Sequence, residues 1–365
     1  LEKQIITSRQ FFAFSSLSIL GGSILVISST LAAVAKQDAW ISTLITMIFG
    51  VSAISLYCYL CTRYSGLTLI GTVRKILGKW IGGLVSAFYV FTFFVMSYAV
   101  PWWIGSFGSH AMPETPIPVI LLPYVVGIVV SVYYGIETIA RASEIFFYFV
   151  TALFAVAIIL VLPNIHTVYL TPVFENGMIP VLKGAYVLSP FLFLPAIALL
   201  MIYPVNVDHV AGGRKALLKG YIWSNAVVFV TILASLLVLG TSVVAKSPFP
   251  TVLLAREINI GTVLTRLEYV VSVMWNVSEF VIGLMFYYVF IKSLSELIGL
   301  KDHKKIAIPA GLIVLLYAWL VNPSSEETSN WLFTGFIPNA TVFTFVLPIV
   351  IWGIYIIKKY VFKKP

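Results

Sequence analysis

Apolar residues gather in long unbroken runs rather than in the spaced stripes of a water-facing helix. The runs cover about 11–34, 40–61, 81–105, 117–135, 144–162, 181–203, 221–244, 263–291, 306–321 and 336–357. Each is close to the roughly 20 residues a helix needs to cross a 30 Å hydrocarbon core. Turn signals part them: Pro113-Glu114-Thr115-Pro116, Pro163-Asn164, Ser247-Pro248-Phe249-Pro250 and Asn322-Pro323-Ser324-Ser325. The alternation over about ten residues that marks a membrane-barrel strand is absent. Lipid offers no hydrogen-bond partner, so each span must satisfy its own backbone. The pattern therefore predicts an all-α integral membrane protein of about ten transmembrane helices.

Composition agrees. The chain is 60% hydrophobic and 10% charged, with a mean hydropathy of +1.01, whereas a water-facing surface needs roughly a quarter of its residues charged. The formal charge of +9 comes from 23 basic and 14 acidic residues. The basic ones sit in short joints between apolar runs, which argues against a nucleic-acid partner. Eighteen Lys and Arg fall on one side of the alternating topology, against five (Lys36, Lys183, Lys246, Arg256 and Arg266) on the other. That bias places both termini in the cytoplasm.

The N-terminus has Lys3 and Arg9, an apolar stretch and then Ala33-Val34-Ala35. A secretory signal has an apolar region of about 7–15 residues. The stretch from Phe11 to Leu31 is longer and is interrupted by Gly21-Gly22, so it reads as the first permanent span. Cys58 and Cys61 lie one turn apart inside an apolar helix, where they behave as small apolar residues. His110, His166, His209 and His303 are scattered, so no metal centre is expected. No cofactor motif and no nucleophile–base pair stands out, which disfavours an enzyme.

Ten spans divide into five and five. Because five is odd, the second half enters the bilayer from the opposite side, an inverted-topology repeat. The chain then reads as one transmembrane domain, 1–365, with repeat one at about 8–162 and repeat two at about 181–358. Span one is interrupted at Leu20-Gly21-Gly22-Ser23, and span six carries Ser189-Pro190 and then Pro195. Glycine frees the backbone, and proline removes an N–H. Interrupted helices in corresponding positions point to a ligand site near the midplane. Ordinary close packing and a proline kink are the alternative. Short amphipathic segments at 67–79 and 251–261, after spans two and seven, form a second correspondence.

With these features the chain resembles the amino acid–polyamine–organocation transporter superfamily, whose fold is LeuT-like with helices one and six broken. More narrowly it is similar to the B subunits of bacterial spore germinant receptors. Three stretches carry this: Gln10-Phe11-Phe12 through Gly21-Gly22, Gly135-Ile136-Glu137-Thr138-Ile139-Ala140-Arg141, and Leu264-Thr265-Arg266-Leu267-Glu268 leading to Trp275. The resemblance implies a spore inner-membrane protein partnered by an A-type membrane subunit and a C-type lipoprotein. It also implies sensing of a small nutrient germinant, an amino acid or sugar, that triggers germination. No clear set of acidic or hydroxyl sodium ligands is visible, which leaves coupled transport open.

The candidate ligand site follows. Free N–H groups near Gly21, Gly22 and Ser23 can hold a carboxylate, and freed carbonyls around Ser189 and Pro190 can receive an ammonium or hydroxyl. Tyr89 and Phe93, four apart on one helical face, and Phe191 can supply an apolar wall. Glu279 lies mid-span with Asn276 and Ser278 nearby. A carboxylate in hydrocarbon costs about 2.5–3.5 kcal/mol on insertion scales, so it should face the bundle interior, as a cation- or proton-responsive group or as structural glue. Glu137 and Arg141 form an i,i+4 pair, read either as a solvated surface pair or as a gate or partner-docking point. Two functions stay open: a nutrient sensor on a transporter fold, and a secondary active transporter of an amino acid or amine working by alternating access.

Overall fold

A computed structural model describes residues 4–64, 66–257, 268–321, 327 and 330–361. Leu264 to Leu267, the Asn322–Ser325 turn signal and the basic residues Lys3, Lys363 and Lys364 lie outside the described residues.

The chain is built of helices: α1 (Ser8–Leu20), α2 (Ile27–Ala35), α3 (Ala39–Arg63), α4 (Leu69–Leu77), α5 (Lys79–Ala111), α6 (Ile117–Tyr134), α7 (Ile136–Val161), α8 (Met178–Ala198), α9 (Val210–Leu239), α10 (Thr241–Lys246), α11 (Pro250–Arg256), α12 (Glu268–Ile298) and α13 (Lys304–Leu320). A C-terminal helix follows over Trp331–Tyr360, with two π-helical stretches at Trp331–Phe336 and Val342–Val346. Among the described residues, eight helices are long and apolar enough to cross a membrane. The expected spans that fall short are the first, divided into α1 and α2, and the ninth, α13, with 17 residues.

Burial separates the centre of the bundle from its rim. In the most apolar window of α8, 89% of residues are buried, and 72% in α12; in α7 the share is 17% and in α6 22%. Ile145 and Ile159 on α7 and Leu122 on α6 are exposed, as lipid-facing residues must be. The helix α1 packs on α9, α7 and α12, while α3 packs on α8 and α9, α5 on α12, and α6 on α13.

The first helix opens with a capping box. Gln10 N–H donates to Thr7 Oγ1 at 3.2 Å, and Thr7 N–H donates to Gln10 Oε1 at 3.1 Å. It ends at Leu20; Gly21 to Val26 are non-helical, and α2 resumes at Ile27. The interruption expected at Gly21-Gly22 is therefore present.

The sixth span, helix α8, differs from expectation. It runs as regular helix through Ser189, Pro190 and Pro195 to Ala198, and only then tightens into a 3₁₀ turn at Leu199–Met201. Ser189 explains the continuity. Pro190 cannot donate to the Tyr186 carbonyl four residues back, but Ser189 Oγ donates to that oxygen at 2.9 Å. The chain leaves helical geometry afterwards, in the turn at 202–206 that leads to α9.

That turn holds the N-terminal strap. Ile6 N–H donates to Asn206 O at 2.8 Å and Asp208 N–H to Ile6 O at 3.0 Å, a single parallel bridge. Asn206 Nδ2 donates to Gln4 O at 2.9 Å, and Ser8 Oγ to Asp208 at 2.9 Å. The strap also reaches the start of α7. Ile136 N–H donates to Gln4 Oε1 at 2.9 Å, and Ile5 N–H to Glu137 Oε1 at 2.9 Å. Gly135 makes room at φ +87°; a Cβ there would lie 2.2 Å from the Gln4 amide.

Candidate functional site

The interrupted first helix faces α12 and α8, and a small cavity of about 40 Å³ lies between them. That volume is several times the 10–15 Å³ or so that admits one water. Gly22, Pro190, Phe191 and Glu279 all line it, so four of the residues singled out from sequence meet at one place. Gly22 keeps the space open: its nearest neighbour to an added Cβ is Ile282 Cδ1 at 4.0 Å. Gly21 is different. A Cβ there would meet Ile282 Cγ2 at 2.6 Å and the Ser278 carbonyl at 2.9 Å, so Gly21 seats α1 on α12 instead of lining the cavity.

Glu279 is 2% exposed, and its Oε2 has no hydrogen-bond partner among the described residues. The Trp275 side chain, one turn back, reaches the same carboxyl group. The main-chain carbonyl of Glu279 accepts a hydrogen bond from Tyr124 Oη of α6 at 2.7 Å. Beside it, the N–H groups of Gly22 and Ile24 make no hydrogen bond among the described residues, and Ser23 Oγ is buried without a partner. The Ile24 carbonyl is taken by Thr251 Oγ1 of α11 at 2.7 Å, which ties the interruption to the short helices after α9.

The rest of the wall is largely aromatic. Phe191 meets Phe336 edge to face at 5.3 Å, and Phe336 stacks with Trp331 at 5.5 Å. Trp103 and Met96 of α5 complete this side. Sequence reasoning missed these four. Trp103 reads as an interface anchor beside Trp102, and nothing local in 331–336 shows that this end of the C-terminal helix folds back over Phe191.

Other candidates stand elsewhere. Tyr89 and Phe93 are buried but do not line the cavity; Met96 to Trp103, farther along α5, take that place. The Tyr89 hydroxyl is 2.9 Å from that of Tyr57, and Tyr57 donates to the Phe343 carbonyl at 2.6 Å, inside the second π-helical stretch. This pair holds a non-standard stretch of backbone. Ser189 borders the cavity through its neighbour Pro190, but its hydroxyl is engaged with Tyr186. The carbonyl expected to receive a ligand there is thus already satisfied. Asn276 is half-buried and bonds back to Ser272 O at 2.9 Å. Glu137 binds the strap through Ile5, while Arg141 lies 3.8 Å from its other oxygen. An open groove of about 570 Å³ near α10 and α11, with exposed Lys246 and Arg256, lies apart from the interruption.

A second charged side chain, half-buried, lies farther along α12. Lys292 Nζ donates to Asn206 Oδ1 at 2.5 Å and sits 5.7 Å from the Tyr288 ring centroid. The Tyr288 ring packs against His303, which precedes α13, at 5.9 Å. Burial, and then the Lys292 charge, hold the His303 imidazole below its ordinary value. At the strap, desolvation pushes the carboxyl of the exposed Asp208 up, but the bonds from Ser8 and the His209 N–H outweigh it and hold it below the usual carboxylate range.

The fold matches transporters of known structure. MhsT in complex with L-phenylalanine superposes with a TM-score of 0.70 at 13% identity, covering 98% of this chain and 99% of that one. Mhp1, a nucleobase-cation-symport-1 family transporter in a closed conformation with bromovinylhydantoin bound, gives a TM-score of 0.65 at 13% identity over 94% of this chain and 78% of that one. These likenesses establish the fold alone. Sequence relatives are nearer. Spore germination protein KB of Bacillus subtilis (strain 168) is 26% identical over 337 residues, 90% of this chain and 88% of that protein. Spore germination protein YndE of the same organism is 24% identical over 302 residues, 80% of each. Residues 5–326 match the model of the spore permease family, described as spore germination proteins. This chain is therefore an integral membrane protein that belongs to the spore germination protein family.

Proposed function

We propose that the protein is the nutrient-sensing membrane subunit of a spore germinant receptor, and that it binds a small germinant at the interrupted first helix. The observation that carries this reading is the cavity at Gly22. It lies between the interruption and the deeply buried helices α8 and α12, and its lining includes Glu279, whose Oε2 has no partner among the described residues, and Gly22, whose main-chain N–H has none there either. A polar group buried without a partner costs about 1–3 kcal/mol, and a bound solute would recover that cost.

In this reading both termini lie in the cytoplasm and the membrane is the spore inner membrane. An A-type subunit and a C-type lipoprotein complete the receptor. The two halves act as inverted repeats, and packing is consistent with this: α1 on α9 has its counterpart in α3 on α8, while the pairs α5–α12 and α6–α13 map onto themselves. A ligand that favours one arrangement of the halves shifts the population, and the partner subunits read the shift.

Thermal stabilisation of the purified protein across amino acids and sugars tests binding. Uptake into proteoliposomes under a proton or sodium gradient tests the transporter alternative. Binding without net uptake, with co-purification of A- and C-type subunits, supports the sensor. Concentrative uptake by the chain alone overturns it.

A further inference from the structure

The amphipathic segment after span two has no part in the cavity. As α4 it buries Leu69, Ile70, Val73 and Ile76 and turns Lys75 outward. It is firmly seated at both ends. Gly71 N–H donates to the capping Thr68 Oγ1 at 3.1 Å, and Thr68 Oγ1 donates to Glu296 Oε2 of α12 at 2.7 Å. Lys358 Nζ of the C-terminal helix donates to the Ile76 carbonyl, in the last turn of α4, at 2.5 Å. Gly82 lets α4 lie close on α5, since a Cβ there would be 2.7 Å from Arg74 Cα.

The charge around this helix is of one sign. Arg63 ends α3, Arg74 and Lys75 lie on α4, and Lys79 opens α5. Lys358 and Lys359 stand in the last turn of the C-terminal helix, which packs on α4 and α3. Segments 59–80 and 355–361 contain no Asp or Glu. Glu296, whose carboxylate reaches α4 from α12, is half-buried and engaged with Thr68. Arg63 is held in place: its Nη2 donates to Tyr59 Oη at 3.1 Å, and the guanidinium lies 5.0 Å from that ring's centroid. Tyr59 and Tyr64 both meet Tyr355 edge to face, at 6.5 and 6.4 Å, which joins α3 to the C-terminal helix. Cations held this way repel one another and favour an anion that neutralises several at once.

The surroundings of the charges decide which anion fits. Beyond Lys79, α5 exposes Trp80 (85% exposed), Ile81, Leu84, Phe88 and Phe91, whose spacing puts them on one helical face. The C-terminal helix exposes Ile349, Val350, Ile357 and Tyr360, again on one face. Inorganic phosphate or a soluble acidic peptide has nothing to lay along these apolar faces. A phospholipid does, with its phosphate among the cations and its acyl chains below. Clusters of about four to eight Lys and Arg at the end of a span attract anionic headgroups, and Trp and Tyr mark headgroup depth.

We infer that α4 and the helix ends around it form a binding surface for anionic phospholipid of the adjoining leaflet. The headgroup phosphates sit among Arg63, Lys75, Lys79 and Lys359, and the acyl chains run along the exposed faces of α5 and the C-terminal helix. This surface is separate from the cavity at Gly22 and does not depend on what that cavity binds.

The test uses the full chain, delipidated in a neutral maltoside detergent. It is titrated with dioleoyl phosphatidylglycerol, dioleoyl phosphatidylcholine, inorganic phosphate and a soluble Glu-rich peptide. Native mass spectrometry counts retained lipid, and thermal melts give apparent affinity. Phosphatidylglycerol should be retained and should raise the melting temperature saturably, more weakly as salt rises. The other three probes should do neither. Lys75→Gln/Lys79→Gln/Lys359→Gln should weaken phosphatidylglycerol by about tenfold or more, since each cation near an anionic surface contributes about fivefold. Lys215→Gln/Lys219→Gln/Lys305→Gln removes three exposed cations elsewhere on the same side of the alternating topology, and should leave the affinity within about twofold. Melts without lipid report folding. If the first triple variant fails to fold, Lys75→Gln and Lys79→Gln singly replace it, each with a loss of about fivefold.

Equal retention of phosphatidylcholine, or equal loss in the two triple variants, would show generic lipid or charge effects and overturn the site. Saturable shifts with inorganic phosphate or the Glu-rich peptide as strong as those with phosphatidylglycerol would make this a surface for a soluble anion and overturn the lipid assignment.

Discussion

Tyr124 donates its hydroxyl to the main-chain carbonyl of Glu279 across 2.7 Å, so α6 grips α12 at the residue that carries the buried carboxylate. The grip needs Gly283, where a Cβ would lie 2.0 Å from that hydroxyl oxygen. Tyr124→Phe removes a buried interhelical bond while keeping the ring, which packs edge to face on Phe280 at 5.6 Å. The expected loss is about 0.6–1.5 kcal/mol, the range for such bonds in membrane and soluble proteins. It should appear as a lower melting temperature, together with weaker ligand binding because Glu279 is less firmly placed. Gly283→Ala should have the larger effect on stability. Unchanged melting in both variants would show that α6 does not position this turn.

The adjacent glycines of the interrupted helix should behave oppositely. Gly21→Ala drives a methyl into Ile282 and into the Ser278 carbonyl, and backbone cannot yield as a side-chain end can. Overpacking of this kind costs about 1–3 kcal/mol. Gly22→Ala points into open space, and Gly22→Leu fills the cavity. The first should melt early whatever its ligand response. The last should fold and melt normally while losing ligand-dependent stabilisation. Thermal melts with and without ligand on the three variants check this, and equal melting of Gly21→Ala and Gly22→Ala would sink the distinction.

Ser189→Ala leaves the Tyr186 carbonyl unpaired beside Pro190 in a helix that is almost wholly buried. Water is not at hand to replace the hydroxyl, so the penalty should approach that of an unsatisfied buried acceptor, about 1–3 kcal/mol. Ser189→Thr keeps the hydroxyl and should restore most of it. Melting temperature and amide exchange over 186–191 measure the effect. A Ser189→Ala variant that is as stable as the original, with unchanged exchange, would mean that α8 is held through Pro190 by packing alone.

How much of this was legible in the sequence depends on the range of the interaction. The spans were readable because a helix in lipid must be continuously apolar, and that signal is local to about 20 residues. The interruption at Gly21-Gly22 was readable for a similar reason: paired glycines in an apolar run loosen the helix where they stand. Ser189-Pro190 misled because the same serine that looked like part of the break supplies the bond that mends it. Glu279 was found by its cost alone, since a mid-span carboxylate has few places to go. Its neighbours Trp103, Trp331 and Phe336 were not, because they arrive from helices more than 50 residues away on either side. Tyr89 and Phe93 share a helical face with Met96 and Trp103, but helical period cannot say at which depth a cavity opens.

The contact between His303 and α12 predicts how stability depends on pH. The imidazole packs on Tyr288, its Nε2 is buried without a partner among the described residues, and Lys292 stands on the same ring. Burial and the Lys292 charge both disfavour the protonated form, while Asp302 opposes them in part. In the unfolded chain histidine titrates near 6.5, so as pH falls the unfolded state takes up the proton first. The contribution of His303 is therefore intact above about pH 6.5 and is lost as pH falls through the lower folded value. Melting temperature should hold between about pH 7 and 8 and decline progressively below about 6.5. His303→Gln has no charge to gain and should flatten that part of the decline. Lys292→Met removes one of the influences that disfavour the protonated form and should make it shallower, though at some cost from the lost bond to Asn206. Melts of the three proteins in nanodiscs of zwitterionic lipid, from pH 5 to 8, provide the comparison. If His303→Gln falls as steeply as the unaltered protein over that interval, another group governs the acid limb and the buried imidazole is neutral in both senses.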